Sequence, residues 1–154
     1  MMKEDRAVLV DTNVLLSATV PLRPLHRAAL AVFNDWPNQG IILVTSVQVF
    51  REYLVVATRP VEANGLGFGI EEALGNVTAF QGRTRLLHDN EQAWDRLQAL
   101  VSSYPCLGKQ IHDANLVATA LASGVTRLVT ANSGDFSRFS PEMEIIDLAT
   151  ANAG

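Results

Sequence analysis

Short, unbroken apolar runs alternate along the chain with longer stretches of helical periodicity. The first run, Ala7-Val8-Leu9-Val10, is rich in β-branched residues, as suits a strand buried on both faces of a parallel sheet, and it stops at Asp11. Gly40-Ile41-Ile42-Leu43-Val44 ends at Thr45-Ser46, and Thr126-Arg127-Leu128-Val129-Thr130 ends near Asn132. A weaker run, Met143-Glu144-Ile145-Ile146-Asp147, closes the series.

Between these runs the spacing of apolar residues becomes helical. Pro24, whose fixed φ suits a first helical position, predicts a helix through Ala28, Ala29, Ala31, Val32 and Phe33. Thr45-Ser46-Val47-Gln48 reads as a capping box, in which the Thr45 hydroxyl and the Gln48 amide satisfy orphan backbone donors of a helix reaching about Ala57. In that helix Val47, Phe50, Leu54 and Ala57 form the core-facing stripe, with Gln48, Arg51 and Glu52 off it. Arg59-Pro60 ends it. Asn64-Gly65-Leu66-Gly67-Phe68-Gly69 is the loosest stretch of the chain and precedes a helix over Glu71–Phe80. Asp89-Asn90-Glu91-Gln92 is a second capping box, leading a helix whose buried side holds Ala93, Trp94, Leu97, Leu100 and Val101. A last helix runs over Asp113–Ser123, with Gly124 as its C-terminal cap.

Strands alternating with helices predict an α/β fold, a three-layer α/β/α sandwich with a mainly parallel central sheet and right-handed crossovers, in one domain over residues 1–154. The small polar tail after Leu148 is expected to fray. The 48% hydrophobic content is ample for one core, and a net charge of −4 argues against a protein that coats phosphate backbones, so any nucleic-acid contact should be local. A single cysteine, Cys106, excludes an intramolecular disulfide and fits a reducing cytoplasm. The charged start Met1-Met2-Lys3-Glu4-Asp5-Arg6 leaves no room for a signal-peptide apolar segment, and no stretch is apolar and long enough to span a bilayer.

The chemistry lies in where the carboxylates fall. Open α/β sheets bind ligands beyond the carboxyl ends of their strands. Asp11 stands there, and so does Asp135 if its strand neighbours the first; Asp113 opens a helix leading into that second strand, and Glu52 lies about two turns into a helix that starts after another strand end. Each has an ordinary explanation: Asp11 as an N-cap, Asp113 as a complement to the helix dipole, Glu52 as a solvated helix residue, Asp135 as a turn former beside Gly134. Together they suit a hard divalent cation such as Mg²⁺, which takes oxygen ligands and relieves the repulsion among clustered acids. Such an ion can polarise a phosphoryl oxygen and acidify a water for hydrolysis.

Four segments carry a family resemblance. Val8-Leu9-Val10-Asp11-Thr12-Asn13-Val14-Leu15, Ser46 with Glu52, His112-Asp113-Ala114 followed by Leu116-Val117-Ala118-Thr119-Ala120, and Leu128-Val129-Thr130-Ala131-Asn132 with Asp135-Phe136 resemble, in order, the motifs of PIN domains. Length and motif spacing are similar to those of the VapC toxins of prokaryotic toxin–antitoxin pairs. The resemblance implies an α/β/α sandwich and Mg²⁺- or Mn²⁺-dependent endoribonuclease activity. It also implies a homodimer and inhibition by a small antitoxin. By position, Asp11, Glu52, Asp113 and Asp135 become the metal-binding and catalytic acids, and Thr12, Asn13, Ser46 and Asn132 become polar supports. The general base is one of the acids or a metal-bound hydroxide.

Lys109 and His112 are candidate RNA contacts, and Arg51, Arg59, Arg83, Arg85 and Arg138 could guide RNA towards the acids. Leu15, Leu16 and Leu25 are candidates for a partner interface. Gly65–Gly69 superficially suggests a phosphate loop but lacks a preceding strand and the Lys-Ser/Thr ending, and reads as a flexible connector. Three other classes compete. A haloacid-dehalogenase-type phosphatase needs a second aspartate where Asn13 stands, and a receiver-like domain needs an acidic pair and a late lysine that are not evident. A PIN-like interaction module without catalysis would not need all four acids.

Overall fold

The structure, a computed structural model, describes residues 6–151. The charged start Met1–Asp5 and the last three residues of the polar tail lie outside the described residues.

Five strands form one sheet: β1 (Ala7–Val10), β2 (Ile42–Ser46), β3 (Arg85–Leu87), β4 (Arg127–Thr130) and β5 (Glu144–Asp147), in the order β3-β2-β1-β4-β5. Every pairing is parallel. The central strand β1 is buried along its whole length, which its unbroken apolar sequence permits. Six helices cover the sheet: α1 (Thr12–Thr19), α2 (His26–Asn34), α3 (Val47–Thr58), α4 (Ile70–Gln81), α5 (Glu91–Ser103) and α6 (Gln110–Ala122). The chain leaves β1 towards β2 and β3, then returns past β1 to β4 and β5. Right-handed crossovers in these opposite directions put α1–α4 on one face and α5–α6 on the other, giving the expected three layers. The reversal of direction makes the carboxyl ends of β1 and β4 a topological switch point, where such sheets open a crevice.

On the α1–α4 face, Tyr53 is fully buried, yet its hydroxyl bonds Thr19 Oγ1 at 2.9 Å and Asn76 Nδ2 at 3.1 Å, so one phenol ties α3 to α1 and α4. Its ring and that of Phe33 both pack on Phe80, with centroids 5.7 and 5.1 Å away.

Several local expectations are corrected. The first capping box is displaced by one residue: Ser46 is the N-cap of α3, its Oγ accepting from Val49 N at 3.2 Å, while Thr45 is still in β2 and bonds Thr84. Asn90, not Asp89, caps α5 in the same way, accepting from Ala93 N. Helix α2 begins after Leu25, so Pro24 lies in the preceding turn, and α6 begins three residues before Asp113. The buried face of α3 is Val49, Phe50, Tyr53 and Ala57, with Gln48 buried as well and Val47 exposed. Trp94 is 58% exposed and lies outside the core, whereas Leu15 is fully buried and Leu16 keeps only a small exposed edge, which faces the crevice. Strand β3 is three residues long, too short for its apolar signal to stand out.

The segment after α3 is not loose. Gly65, Leu66, Gly67 and Phe68 donate their backbone N–H groups to the carbonyls of Pro60, Val56, Arg59 and Ala57, folding the segment back along the helix end. A Cβ on Gly65 would overlap the Arg59 carbonyl, and Gly67 has φ +69°, so both glycines are required by close approach or conformation. At the other end of the chain, the tail does not fray directly after Leu148. Leu148–Thr150 forms a short 3₁₀ turn capped by the Asp147 carboxylate.

Candidate active site

The switch point is occupied by a crevice of about 440 Å³ lined by Asp11, Glu52, Asp113 and Asp135 together with Thr12, Asn13, Asn132, Arg51, Arg59 and the apolar Leu16, Val55, Val56 and Phe136. The pairing of β1 with β4 is what brings Asp11 and Asp135 to one cavity.

Asp11 sits directly after β1 and caps α1, its Oδ1 accepting from Thr12 N at 2.7 Å. The N-cap reading and the site reading therefore both describe this residue. Its Oδ2 accepts from Thr130 Oγ1 at 2.8 Å and from Asn13 Nδ2 at 3.1 Å. Burial nevertheless pushes the Asp11 carboxyl up to about 6; the bonds from Thr130 and Thr12 oppose the rise, and Glu52 and Asp113 add to it.

Glu52 projects from α3, one turn beyond Gln48. Its Oε2 accepts from Thr12 Oγ1 at 3.0 Å and its Oε1 from Gln48 Nε2 at 3.0 Å, so each oxygen has a donor. Asp113, in the first turn of α6, is also raised to about 6, by burial first and then by the charges of Asp135 and Glu52, against the opposing charges of Arg138 and His112. The helix dipole that would favour its ionised form is thus outweighed. Asp135 ends the 3₁₀ turn Ser133–Asp135 and is exposed.

Asn13 spans the switch point: besides Asp11 it bonds Thr130 Oγ1, and its Oδ1 accepts from Ala131 N at 2.9 Å. Asn132 lines the crevice, and its backbone N–H donates to Thr130 Oγ1. Ser46 does not reach the crevice, because its hydroxyl is the α3 cap. Lys109 and His112 also stand outside it; Lys109 is exposed just before α6, and the His112 carbonyl accepts from Gln48. Of the arginines, only Arg51 and Arg59 line the crevice. Arg83 instead bonds the Phe33 carbonyl and Asn34, and Arg138 bonds the Pro105 carbonyl and Gln110.

Sequence reasoning missed two residues, Thr130 and Gln48. Thr130 is fully buried and supplies the shortest side-chain bond to Asp11; the one signal in the sequence is a polar residue closing an apolar strand. The Gln48 side chain does not close a capping box; it bonds Glu52 and the His112 carbonyl instead.

The donors facing the crevice are carboxylate oxygens, the set a hard divalent cation prefers. Among the described residues no three Asp, Glu, His or Cys side chains are drawn together about one point. The acids line an open cleft, an arrangement suited to an ion that retains waters and takes substrate oxygens as ligands.

The molecule is a doubly wound α/β/α domain with an acidic crevice at its switch point. The chain belongs to the PIN-domain family, whose sequence profile matches residues 8–140. No curated protein matches the sequence significantly. Among solved structures, VapBC2 of Rickettsia felis bound to a promoter DNA fragment aligns with TM-score 0.66 at 15% identity, covering 92% of this chain and 98% of that one. VapBC-1 of nontypeable Haemophilus influenzae aligns with TM-score 0.65 at 20% identity over 94% and 99%. VapC20 of Mycobacterium tuberculosis, described as a toxin cleaving the sarcin–ricin loop, aligns with TM-score 0.63 at 14% identity over 88% and 95%. At these identities the likeness carries the fold.

Proposed function

We propose that the chain is a divalent-metal-dependent endoribonuclease that hydrolyses RNA phosphodiester bonds, and the toxin of a toxin–antitoxin pair. The observation that carries this reading is the convergence of Asp11, Glu52, Asp113 and Asp135, from four separate segments, on one crevice at the switch point. Family membership and the fold shared with VapBC proteins and with VapC20, described as a sarcin–ricin loop cleaving toxin, support it.

The four acids would hold Mg²⁺ or Mn²⁺, and the elevated Asp11 and Asp113 fit that role, since a cation relieves the repulsion and desolvation that raise them. When bound, the ion supplies Lewis-acid polarisation of the phosphoryl group and neutralises developing charge. Asn13 and Thr130 hold the Asp11 carboxylate in one orientation. Arg51 and Arg59 at the rim offer cationic contacts to the phosphates flanking the scissile bond. Val55, Val56 and Leu16 give a splayed base an apolar surface. We assign a small antitoxin as partner, a homodimer as the assembly and the cytoplasm as the location; the solved VapBC complexes support the first, and among the described residues no helix is long and apolar enough to cross a membrane.

Incubation with single-stranded RNA and Mg²⁺ or Mn²⁺ tests the activity. Cleavage should vanish with EDTA and with Asp11→Asn. A folded native chain that never cuts RNA, yet binds the product of a short neighbouring gene, would instead be an interaction module.

A further inference from the structure

Gln48 touches both helices that carry the central acids. Its Oε1 accepts from Asn115 Nδ2 at 2.7 Å, and its Nε2 donates to Glu52 Oε1 at 3.0 Å and to the His112 carbonyl at 2.8 Å. His112 immediately precedes Asp113, so one side chain on α3 grips both the Glu52 carboxylate and the backbone that presents Asp113. A primary amide has two N–H donors in a fixed plane, and both are engaged. The residue is 3% exposed, which leaves little water to replace a lost partner.

The direction of this amide is set from outside the crevice. Asn115 Nδ2 also donates to Asp89 Oδ2 at 3.3 Å, and Asp89 Oδ1 accepts from Thr119 Oγ1 at 2.8 Å. An ionised aspartate only accepts, so the Asn115 amino group faces Asp89 and Gln48, and the Gln48 amino group is left to face Glu52. Reversing the Gln48 amide would set its oxygen against the Glu52 carboxylate and the His112 carbonyl, two acceptor–acceptor contacts. Neither Gln48, Asn115 nor Asp89 lines the crevice.

We propose that Gln48 is a positioning residue that fixes Glu52 relative to Asp113, with its amide oriented by Asn115 and Asp89. Glu52 and Asp113 repel one another, and a glutamate alone on a helix samples several rotamers. Gln48 and Thr12 together give each Glu52 oxygen one donor, which selects a single conformation. The consequence for cation affinity rests on the metal-site reading of the preceding section; the placement of the two acids does not.

The test compares the full chain with Gln48→Leu, Asn115→Leu and the double variant. Mn²⁺ affinity is measured by calorimetry, metal-free Tm separately, and Glu52 is located in a metal-free crystal structure of Gln48→Leu. Each single variant should bind Mn²⁺ about 10-fold or more weakly, the range for residues that orient ligands. The double variant should be no weaker than Gln48→Leu alone, because the two act through one contact. Lower Tm with unchanged Mn²⁺ affinity means packing alone and overturns the proposal, and additive losses overturn the orienting role of Asn115. If the native chain binds no Mn²⁺, the metal reading fails, and the crystal structure decides the positioning role: a displaced Glu52 carboxylate upholds it, and an unmoved Glu52 and Asp113 refute it. Should Gln48→Leu not fold, Asn115→Leu, at a half-buried position, carries the same structural comparison.

Discussion

Asp11 follows β1 with no residue between, whereas Asp135 stands five residues beyond β4, at the end of a 3₁₀ turn. The first is 7% exposed and receives three hydrogen bonds, from Thr12, Asn13 and Thr130. The second is exposed, and among the described residues no hydrogen bond reaches its carboxylate. Two acids at the ends of neighbouring strands therefore differ in how completely the fold has organised them beforehand. A strand end in the sheet interior offers backbone and side-chain donors at fixed positions, but it desolvates the charge. A turn leaves the charge hydrated and free to adjust. Asp11 is the anchor, and Asp135 is the adjustable arm.

The largest effect should separate these two acids. Asp11→Asn keeps a capping side chain on α1, so the fold survives, while cleavage falls by more than about 100-fold, beyond the range for residues that merely orient ligands. On the proposed metal-site reading, Asp135→Asn should cost about 10-fold, because the other carboxylates and waters can compensate for an exposed carboxylate that no hydrogen bond holds. The assay is RNA cleavage at saturating Mn²⁺, with circular dichroism to confirm folding. Equal losses would erase the distinction between anchor and arm.

That distinction was partly legible in the sequence. Asp11 was placed by an apolar run that ends on it, a pattern set by burial on both faces, and the same logic located β2, β4 and β5. Strand adjacency was not legible, since the β1–β4 pairing joins segments more than a hundred residues apart and no local pattern encodes it. Nor was the burial of Gln48, because its role depends on His112 and Asn115 arriving from α6. The caps differ from the sequence reading by one residue for a simpler reason: Thr45-Ser46 and Asp89-Asn90 each offer two consecutive capping side chains, and pairing with β3 keeps Thr45 in the sheet while Asp89 turns to Thr119 and Asn115. In the segment over residues 64–69, composition reads as looseness, whereas Gly65 serves close backbone approach to the end of α3 and Gly67 a positive φ.

A smaller effect sharpens the account of the anchor. Thr130→Val is nearly isosteric but removes the hydroxyl that donates to Asp11 and accepts from Asn132 N and Asn13 Nδ2. Stripping the buried Asp11 carboxylate of that donor should destabilise the fold by about 1–3 kcal/mol in denaturant titration. The Asp11 carboxyl, which the Thr130 bond holds down, should rise further above about 6. NMR titration of the carboxyl carbon measures this, and an unmoved Asp11 would show that Asn13 and the Thr12 N–H suffice.

The smallest effect concerns Asp113, which lies between the two extremes: half-buried, and raised from 3.8 to about 6 by burial and by its acidic neighbours. Between those values the folded state holds a proton that the unfolded chain releases, so the metal-free protein loses stability as pH rises from about 4 to about 6 and no further above it. Asp113→Asn removes its share of that dependence, while Asp11, raised to about 6 as well, keeps its own. Its metal-free Tm relative to the native chain should therefore be higher at pH 7 than at pH 4, where the native carboxyl is already largely protonated. Saturating Mg²⁺ should shrink the difference at pH 7, because the ion stabilises the ionised native site and binds the variant less well. A Tm difference independent of pH would mean that burial and the charges of Asp135 and Glu52 do not raise this carboxyl above its unfolded value.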